Sequence, residues 1–334
     1  MSKLLMIFFS LRFTTTASLL FAISSSAVAF DDAKPPMSFA KNGDVRIAYR
    51  VVGQQSGEPV VMIMGLSASH KIWHSELIEG IVNGGYRVVL LDNRDVGEST
   101  RIKKRGRIWL AWQLLKYRFG LKVKSPYSLQ DMADDTIAVL EELGIEQAHV
   151  IGASMGGMIA QTVAYNFPER TQSLVSIMST TWAPHLPPPG REQEQGISDM
   201  NESSAEQTKD LEKIGFYPGA LPNQVTAILS AGDRTEYVRK IDTPTLVLHG
   251  SEDELLSVEH GIYTAEVISG AQLRIYQDMG HSLPDHVIPI MTADILNHLS
   301  RASSASVVAT PLFPSKESSI IRESNNLSRV AISR

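Results

Sequence analysis

A single serine stands within the small and apolar stretch HVIGASMGGMIA, residues 149–160. Gly152 and Gly156 lie two residues before and two residues after Ser154, which is the spacing of a nucleophile held on a tight turn between a strand and a helix. A phosphate-binding loop would have the pattern G-x-x-x-x-G-K-[ST], but no lysine follows Gly156 or Gly157. The motif therefore fits either a catalytic serine or a purely structural joint, and the groups that could activate the serine distinguish these interpretations.

A serine hydroxyl becomes a nucleophile when a histidine accepts its proton and a carboxylate orients that histidine. In chains with this motif the order along the sequence is serine, acid, histidine. The acidic residues that follow a predicted strand at 244–250 are Glu252, Asp253 and Glu254. His281 follows the next predicted strand, 273–278. Because these loops lie at the same edge of the predicted sheet as Ser154, we predict His281 as the general base and one of the three carboxylates as its partner.

The chain has nine histidines, so a chance placement of one of them has to be considered. Eight fall in predicted helices, strand starts or surface loops, where a solvent-facing or hydrogen-bonded structural histidine is expected. These eight are His70, His74, His149, His185, His249, His260, His286 and His298. His281 differs from them because it directly follows the last predicted strand, which favours a catalytic role.

A reaction at a carbonyl carbon also needs two N–H donors for the oxyanion that forms. The serine motif supplies the N–H of Met155. The second donor is expected from the loop after the predicted strand at 59–65, where Gly65 lets the chain bend and direct the N–H of Leu66 into the site. We therefore predict an oxyanion hole made by Leu66 and Met155, and a plain turn at Gly65 is the alternative.

The elements that must position these groups alternate along the chain as short apolar runs and amphipathic segments, which predicts a mostly parallel sheet flanked by helices, an α/β fold. The predicted strands are 45–52, 59–65, 86–92, 149–153, 173–178, 244–250 and 273–278. The first alternates in polarity as an exposed edge strand does, and most of the others are continuously apolar, as buried strands are. One helix is predicted between Ser128 and Gly144, and another in DHVIPIMTADILNHL near the end of the core. The core comprises residues 37–180 and 243–300.

Residues 101–127 interrupt this alternation with nine Lys or Arg and no acid. Trp109, Trp112, Leu114, Leu115 and Phe119 lie among the cations. The composition fits a basic amphipathic patch that makes weak contact with a membrane surface or an acidic ligand. It also fits a lid-like helix with its polar face in solvent and an apolar underside.

A second interruption, residues 181–242, is longer than a connection between two strands requires. It opens with prolines, continues through a polar and acidic stretch, and returns to the apolar GFYPGALP. We predict a helical cap or lid over the strand ends, which would influence substrate choice. Trp182 in this insertion, together with Gly65 and Trp73, is predicted to contact substrate, although core packing explains the tryptophans equally well.

The two chain ends differ in composition from the core. Residues 1–29 contain Lys3 and Arg12 ahead of an apolar run and end in Ala-Val-Ala, as a cleavable signal peptide does. This predicts a periplasmic or secreted protein, with an uncleaved membrane anchor as the alternative. Residues 301–334 are rich in Ser and Arg without sustained periodicity, which predicts a flexible C-terminal tail.

The overall composition is that of an ordinary globular protein: 334 residues, 43% hydrophobic, with a formal net charge of -5. This charge gives no reason to expect nucleic acid or an anionic membrane as the main partner. The chain has no cysteine, which is compatible with either export or the cytosol because a core of this size needs no disulfides. Composition does not indicate an oligomeric state.

Five stretches together resemble the α/β-hydrolase family of the serine esterase type, over about residues 40–299: MGLSAS, DNRDVGES, GASMGGMIAQ, HGSEDELLS and DMGHSLP. The Met-Gly-Leu loop, the DNRDVG turn and SIMSTT resemble the branch that includes aclacinomycin methylesterase. The resemblance implies a Ser154, Asp253, His281 triad, an oxyanion hole at Leu66 and Met155, and no cofactor or metal. It also implies that Asp92, Arg94 and Gly97 hold a loop together.

The residue at the tight turn between the strand and the helix, the nucleophile elbow, determines the type of reaction. Serine at the elbow, in place of the aspartate of dehalogenases and epoxide hydrolases, predicts cleavage of a small to medium, largely apolar carboxylic ester through an acyl-enzyme. The alternatives are a serine hydrolase acting on a lactone, thioester, peracid or amide, and a ligand-binding protein of this fold with slow turnover.

Overall fold

The computed structural model describes residues 36–103, 105–190 and 204–309. These residues form one eight-stranded sheet in the order β1-β2-β4-β3-β5-β6-β7-β8. The strands are β1 (Ser38–Asn42), β2 (Val45–Val52), β3 (Glu58–Ile63), β4 (Tyr86–Leu91), β5 (Ala148–Ala153), β6 (Thr171–Ile177), β7 (Thr245–Gly250) and β8 (Gln272–Tyr276). β1 and β2 run antiparallel to their neighbours, and β4, β3, β5, β6, β7 and β8 are parallel. The predicted α/β class is confirmed.

The prediction of 45–52 as an edge strand is wrong. β1 pairs along β2 and takes the edge position instead. A tight turn joins the two strands, and Gly43 supplies its left-handed backbone with φ +58°. The burial of β2 does not alternate either, because the consecutive residues Ile47, Ala48 and Tyr49 are all buried and the residues at both ends of the strand are less so.

Helices cover both faces of the sheet. They are α1 (Ser75–Asn83), α2 (Arg107–Arg118), α3 (Leu129–Glu142), α4 (Met155–Asn166), α5 (Ala205–Ile214), α6 (Leu221–Ala231), α7 (Thr235–Val238), α8 (Val258–Val267) and α9 (Ile288–Ala309). One apolar core cluster joins the sheet to α3 and α4, and a second joins it to α1 and α9. Because both faces are covered, every residue of β5 and β7 is buried, which explains their continuous apolar sequences.

The predicted helix after Ser128 is α3, and its start is fixed by a capping box. The Ser128 hydroxyl accepts from the Asp131 N–H, and the Asp131 carboxylate accepts from the Ser128 N–H. The terminal helix α9 continues to Ala309, so the first nine residues of the predicted tail are helical. Residues 310–334 and the predicted signal peptide, 1–29, lie outside the described residues. Within the described ranges, no helix has both the length and the apolar character needed to span a membrane.

The insertion between β6 and β7 carries α5, α6, α7 and a short 3-10 helix, Pro218–Ala220. Part of the predicted polar stretch, residues 191–203, lies outside the described residues. α6 is attached to the loop after β4, because the amide of Asn223 donates to Asp95 Oδ2 over 3.0 Å. Arg234 anchors the start of α7 by donating to the carbonyls of Met158 and Thr180. The helical insertion thus contacts the elements that surround the carboxyl edge of the sheet.

A buried histidine in β5, His149, is expected to make the stability of this fold sensitive to acid. His149 in β5 bonds Ser173 Oγ through Nδ1 at 2.8 Å, and burial lowers its pKa to about 4 from 6.5. Between these values the unfolded chain binds more protons than the folded one, so the free energy of unfolding decreases as pH falls through this window. We expect a loss of about 1–3 kcal/mol from pH 7 to pH 4.

Thermal unfolding of the wild type and a His149→Gln variant, followed by circular dichroism at both pH values, measures this loss. Glutamine keeps a hydrogen-bonding group opposite Ser173 and does not titrate, so the variant should lose less stability in acid. An equal loss in both proteins would show that His149 does not cause it. Burial also lowers the pKa values of His260 and His298, so part of the acid sensitivity should remain in the variant.

Candidate active site

Ser154 occupies a sharp turn between β5 and α4. Its backbone has φ 56° and ψ -121°, in a region that non-glycine residues seldom adopt and that costs of order 1–3 kcal/mol. The turn is held by a hydrogen bond of 2.9 Å from the Ser154 N–H to the Ile177 carbonyl of β6. Such strain is retained where the surrounding structure fixes it, which is typical of functional sites.

Glycines are required around this turn because backbone atoms occupy the space of a side chain. A Cβ at Gly152 would overlap the carbonyl of Gly156, and a Cβ at Gly156 would overlap the carbonyl of Ile63 in β3. A Cβ at Gly157 would overlap the side chain of Ser179. The glycines therefore let the turn close and let α4 pack against the sheet, as the motif predicts.

The structure brings Ser154, His281 and Asp253 together in one hydrogen-bonded chain. His281 Nε2 lies 2.9 Å from Ser154 Oγ, and His281 Nδ1 lies 2.7 Å from Asp253 Oδ2. Asp253 lies in the loop after β7 and His281 in the loop after β8. The Glu252 N–H donates to the Met279 carbonyl over 3.0 Å, which ties the two loops to each other. Of the three carboxylates considered, the one that bonds His281 is Asp253.

Asp253 is held as a buried carboxylate by donors on both oxygens. Its Oδ1 accepts from the N–H groups of Leu255 and Leu256 at 3.0 and 2.8 Å. Burial alone would raise the pKa of Asp253, but hydrogen bonds from His249, His281 and Leu256 outweigh it, and the pKa lies well below its ordinary value. Asp253 therefore remains ionised across the neutral pH range and can orient His281.

His249 also contacts the Asp253 carboxylate. From the sequence it was expected to be one of the eight structural histidines. Its Nε2 lies 2.7 Å from the Leu256 carbonyl and 3.4 Å from Asp253 Oδ2. Gly261 in α8 provides the space for the ring, because a Cβ there would lie 2.6 Å from His249 Nδ1. The sequence signal that could have identified His249 is its position as the penultimate residue of β7, four residues before Asp253.

The loop after β3 crosses the elbow closely. A Cβ at Gly65 would lie 3.0 Å from Ser154 Cβ and 3.1 Å from the Ala153 carbonyl oxygen, so a side chain here would require these neighbours to shift. Leu66 follows directly, and within the described residues its N–H has no backbone acceptor. Met155 is the first residue of α4, where an N–H has no partner within the helix. Both predicted oxyanion donors thus lie in the segments that contact Ser154.

The cap is hydrogen-bonded to this loop at Ser67, the residue after Leu66. The Ser67 N–H donates to Gln224 Oε1 of α6 over 2.7 Å, and the Tyr217 N–H donates to the Ser67 carbonyl over 2.7 Å. Ser67 itself has φ 58°. The conformation of the peptide group between Leu66 and Ser67 is therefore coupled to the position of the cap.

The two tryptophans predicted to contact substrate occupy different environments. Trp73 is only 2% exposed and belongs to the core cluster formed with α1 and α9. Trp182 is partly buried at the start of the cap, and its Nε1 donates to Tyr117 Oη of α2 over 2.8 Å. Core packing accounts for Trp73 in this structure, and the assignment of both residues to substrate binding stays a prediction.

The loop after β4 has the structural role that the sequence analysis expected. Asp92 Oδ1 accepts from the backbone N–H of His70 and bonds His70 Nδ1 at 2.7 Å, and Asp92 Oδ2 accepts from the Glu98 N–H. A Cβ at Gly97 would overlap the Asp92 carboxylate. Arg94 forms a two-pronged pair with Asp135 of α3, with N–O distances of 2.7 and 2.8 Å. No group of three or more His, Cys, Asp or Glu in the described part of the chain is arranged to hold a metal ion.

Known hydrolases, among them methylesterases, are similar to this chain in sequence. The chain is 24% identical to rhodomycin D methylesterase DauP of Streptomyces sp. (strain C5), over 80% of this chain and 99% of that protein. It is 25% identical to a 2-hydroxy-6-oxononadienedioate/2-hydroxy-6-oxononatrienedioate hydrolase of Pseudomonas sp, over 67% of this chain and 81% of that protein. The similarity to methylesterases agrees with the branch that the sequence resembles.

The solved structure of the esterase RhEst1 from Rhodococcus sp. ECU1013 superimposes on this protein with a TM-score of 0.60. The two chains are 20% identical, and the match covers 79% of this chain and 98% of the esterase, which supports the same fold. The family model described as alpha/beta hydrolase fold matches residues 58–224, half of the chain. The protein therefore belongs to the α/β-hydrolase fold family.

Proposed function

We propose that the protein is a serine hydrolase that cleaves carboxylic esters through an acyl-enzyme intermediate. The observation that carries this proposal is the continuous chain from Ser154 Oγ through His281 to Asp253, with N–O distances of 2.9 and 2.7 Å. Distances of this kind permit proton transfer without rearrangement of the side chains. The methylesterase relatives support an ester as the substrate.

In the first half of the reaction, Ser154 Oγ attacks the ester carbonyl carbon and its proton passes to His281 Nε2. Asp253 stabilises the resulting imidazolium through the Nδ1–H. The tetrahedral intermediate then expels the alkoxide, which receives the proton from Nε2 and leaves as an alcohol. In the second half, His281 takes a proton from water, the hydroxide attacks the acyl-enzyme, and the acid leaves as Ser154 regains its proton.

The oxyanion is assigned to the N–H groups of Leu66 and Met155. Removal of one such donor typically costs 10²–10³-fold in kcat. Gln224 of α6 accepts from the Ser67 N–H, in the peptide that follows Leu66. The oxyanion hole would therefore be complete only when α6 of the cap is in place. We propose that the substrate binds between the loop after β3 and the cap, and that it is a small to medium, largely apolar ester.

A panel of p-nitrophenyl acetate, butyrate and octanoate tests the reaction type. Hydrolysis with a burst of nitrophenolate before the steady state is expected, because the alcohol leaves before the acyl-enzyme is hydrolysed. The same protein is assayed on a p-nitroanilide, a lactone, a thioester and a carbon–carbon cleavage substrate. Exclusive turnover of any of these in place of the oxyesters would contradict the ester assignment.

His249 is proposed to act as a positioning residue for Asp253. His249→Phe keeps a ring in the slot opposite Gly261 but removes the N–H near the carboxylate, and we expect kcat to fall about 10-fold. KM should stay unchanged, because His249 is fully buried with its Nε2 near Asp253 and the Leu256 carbonyl. His249→Gln, which retains an N–H donor, should recover most of kcat. Equal losses in the two variants, or a change confined to KM, would rule out positioning.

Export is also proposed, on the composition of residues 1–29 alone. Cleavage after Ala29 would give a mature protein that begins at Phe30. N-terminal sequencing of the protein recovered from the periplasm or medium tests this. A protein in that fraction that retains residues 1–29 would contradict cleavage, and an uncleaved protein recovered with the membranes would favour an anchor.

A further inference from the structure

Helix α2 presents large apolar side chains to solvent. Ile108 is 89% exposed and Trp112 56%, and just after the helix the C-cap Phe119 is 68% and Leu121 58% exposed. These are four of the eight large hydrophobic residues exposed in the described part of the chain, and they fall within 14 residues of sequence. Exposed apolar groups scattered singly need no explanation, but such a concentration indicates a contact surface.

The geometry of the helix places these side chains on one face. At 100° per residue, Ile108, Trp112 and Phe119 project within about 40° of one another. Leu110 and Gln113 project from the opposite side, where both are buried against the protein. An ordinary surface helix carries polar residues on its outer face. α2 carries apolar residues on its outer face in addition to the buried Leu110, so an apolar underside alone does not account for its composition.

Positive charge surrounds this apolar face. Residues 101–127 hold nine of the 31 Lys and Arg and none of the 36 Asp and Glu, so the rest of the chain has 22 cationic and 36 acidic residues. Lys103 and Arg105 are exposed before α2, and Lys122 and Lys124 are exposed after it. The face is thus flanked by cations at both ends within an otherwise acidic protein.

We infer that α2 docks in the plane of an anionic lipid surface, with Ile108, Trp112 and Phe119 inserted among the headgroups and the flanking Lys and Arg paired with lipid phosphates. An apolar stripe with basic flanks is the pattern of helices that lie in the membrane interface. A stable protein interface would use roughly 20–30 residues a side. The apolar stripe of this one helix has far fewer residues than that. It is large enough to insert into the headgroup region of a lipid bilayer.

The position of α2 links this surface to the proposed site. α2 lies in the connection between β4 and α3, at the carboxyl edge of the sheet where Ser154 also lies. Tyr117 accepts a hydrogen bond from Trp182 at the start of the cap, and Ser125 Oγ lies 3.2 Å from Thr226 Oγ1 of α6. Docking through α2 would therefore bring the cap next to the lipid. If the proposed function holds, apolar esters would reach the site from that surface.

Because the chain has no cysteine, a single introduced cysteine can carry an environment-sensitive NBD label at a chosen position. Ile108→Cys tests the α2 face, and Ile290→Cys is the matched control, since Ile290 is also an exposed isoleucine but lies on α9. The full-length labelled proteins are mixed with vesicles of phosphatidylcholine alone or of phosphatidylcholine and phosphatidylglycerol in equal parts. The label at 108 should brighten and shift to the blue on the anionic vesicles, and the label at 290 should not.

A Lys122→Glu/Lys124→Glu variant of the Ile108→Cys protein should lower partition to anionic vesicles by at least about 10-fold. Its turnover of soluble p-nitrophenyl acetate should match that of the parent, which verifies its fold and separates lipid docking from catalysis. Absence of a shift at 108, equal shifts at 108 and 290, or equal shifts on neutral and anionic vesicles would overturn the inference. A shift that depends on protein concentration without lipid would also overturn it and assign the face to a second copy of the chain.

Discussion

Ser154→Ala is expected to lower kcat/KM for p-nitrophenyl butyrate by at least about 10⁴-fold, because no other group can form the acyl-enzyme at this turn. The remaining rate would reflect the oxyanion donors and substrate binding alone. Alanine keeps the Cβ that the turn already accommodates, so the fold should be preserved. Steady-state kinetics with thermal unfolding of the same preparation measures both properties.

A matched control for this variant is Ser300→Ala. Ser300 is exposed on α9, far along the chain from the elbow, and its replacement should leave kcat/KM within about twofold because surface substitutions have small effects. A Ser154→Ala enzyme that retained activity within 10-fold of wild type would exclude Ser154 as the nucleophile. If Ser154→Ala lost both activity and the folded state, Ser154→Thr or Ser154→Cys would be used instead to test whether Ser154 is the nucleophile.

Asp253→Asn is expected to lower kcat by about 10⁴-fold while the fold is retained. Asp253 Oδ1 accepts from two backbone N–H groups, those of Leu255 and Leu256, so the carbonyl oxygen of an asparagine must occupy this position. Its NH₂ group then faces His281 Nδ1 and can only donate to it. The imidazole would be held with its proton on Nε2, where it cannot accept the proton of Ser154.

Glu252→Gln is the control for this loop, because Glu252 is a neighbouring carboxylate that makes no hydrogen bond to His281 in the described structure. It should retain kcat within a few-fold of wild type. If Asp253→Asn had little effect and Glu252→Gln or Glu254→Gln abolished activity, the acid would have been assigned to the wrong residue. Measurement of kcat from neutral to alkaline pH distinguishes an imidazole held in the wrong tautomer from one whose pKa has changed. The tautomer defect would persist at every pH.

The parts of this structure that sequence predicts best are those that local patterns determine. The elbow at Ser154 follows from glycines whose spacing has a steric cause, and β5 and β7 follow from continuous apolar runs. The order of acid and histidine then places Asp253 and His281 at the same edge. Their mutual hydrogen bonds depend on the contact between two loops, which only the folded chain supplies.

Other features could not be obtained from the sequence because they depend on partners distant in the chain. β1 is too short and too polar to predict, and it exists because it pairs with β2. The alternating apolar residues of α2 are compatible with packing on either face, and periodicity does not indicate which face meets the core. His249 resembles other buried histidines in sequence, and its approach to Asp253 depends on the space left by Gly261.

The most direct test of the proposed serine chemistry is covalent labelling of the full-length protein with a fluorophosphonate, followed by mass spectrometry of the peptides. Because the reagent phosphonylates an activated serine, we predict a single adduct on Ser154 and a large decrease in the labelling rate in His281→Ala. An adduct at another serine, no adduct under conditions where the protein is folded, or labelling of Ser154 at the same rate in His281→Ala would contradict the assignment of Ser154 and His281 as nucleophile and base.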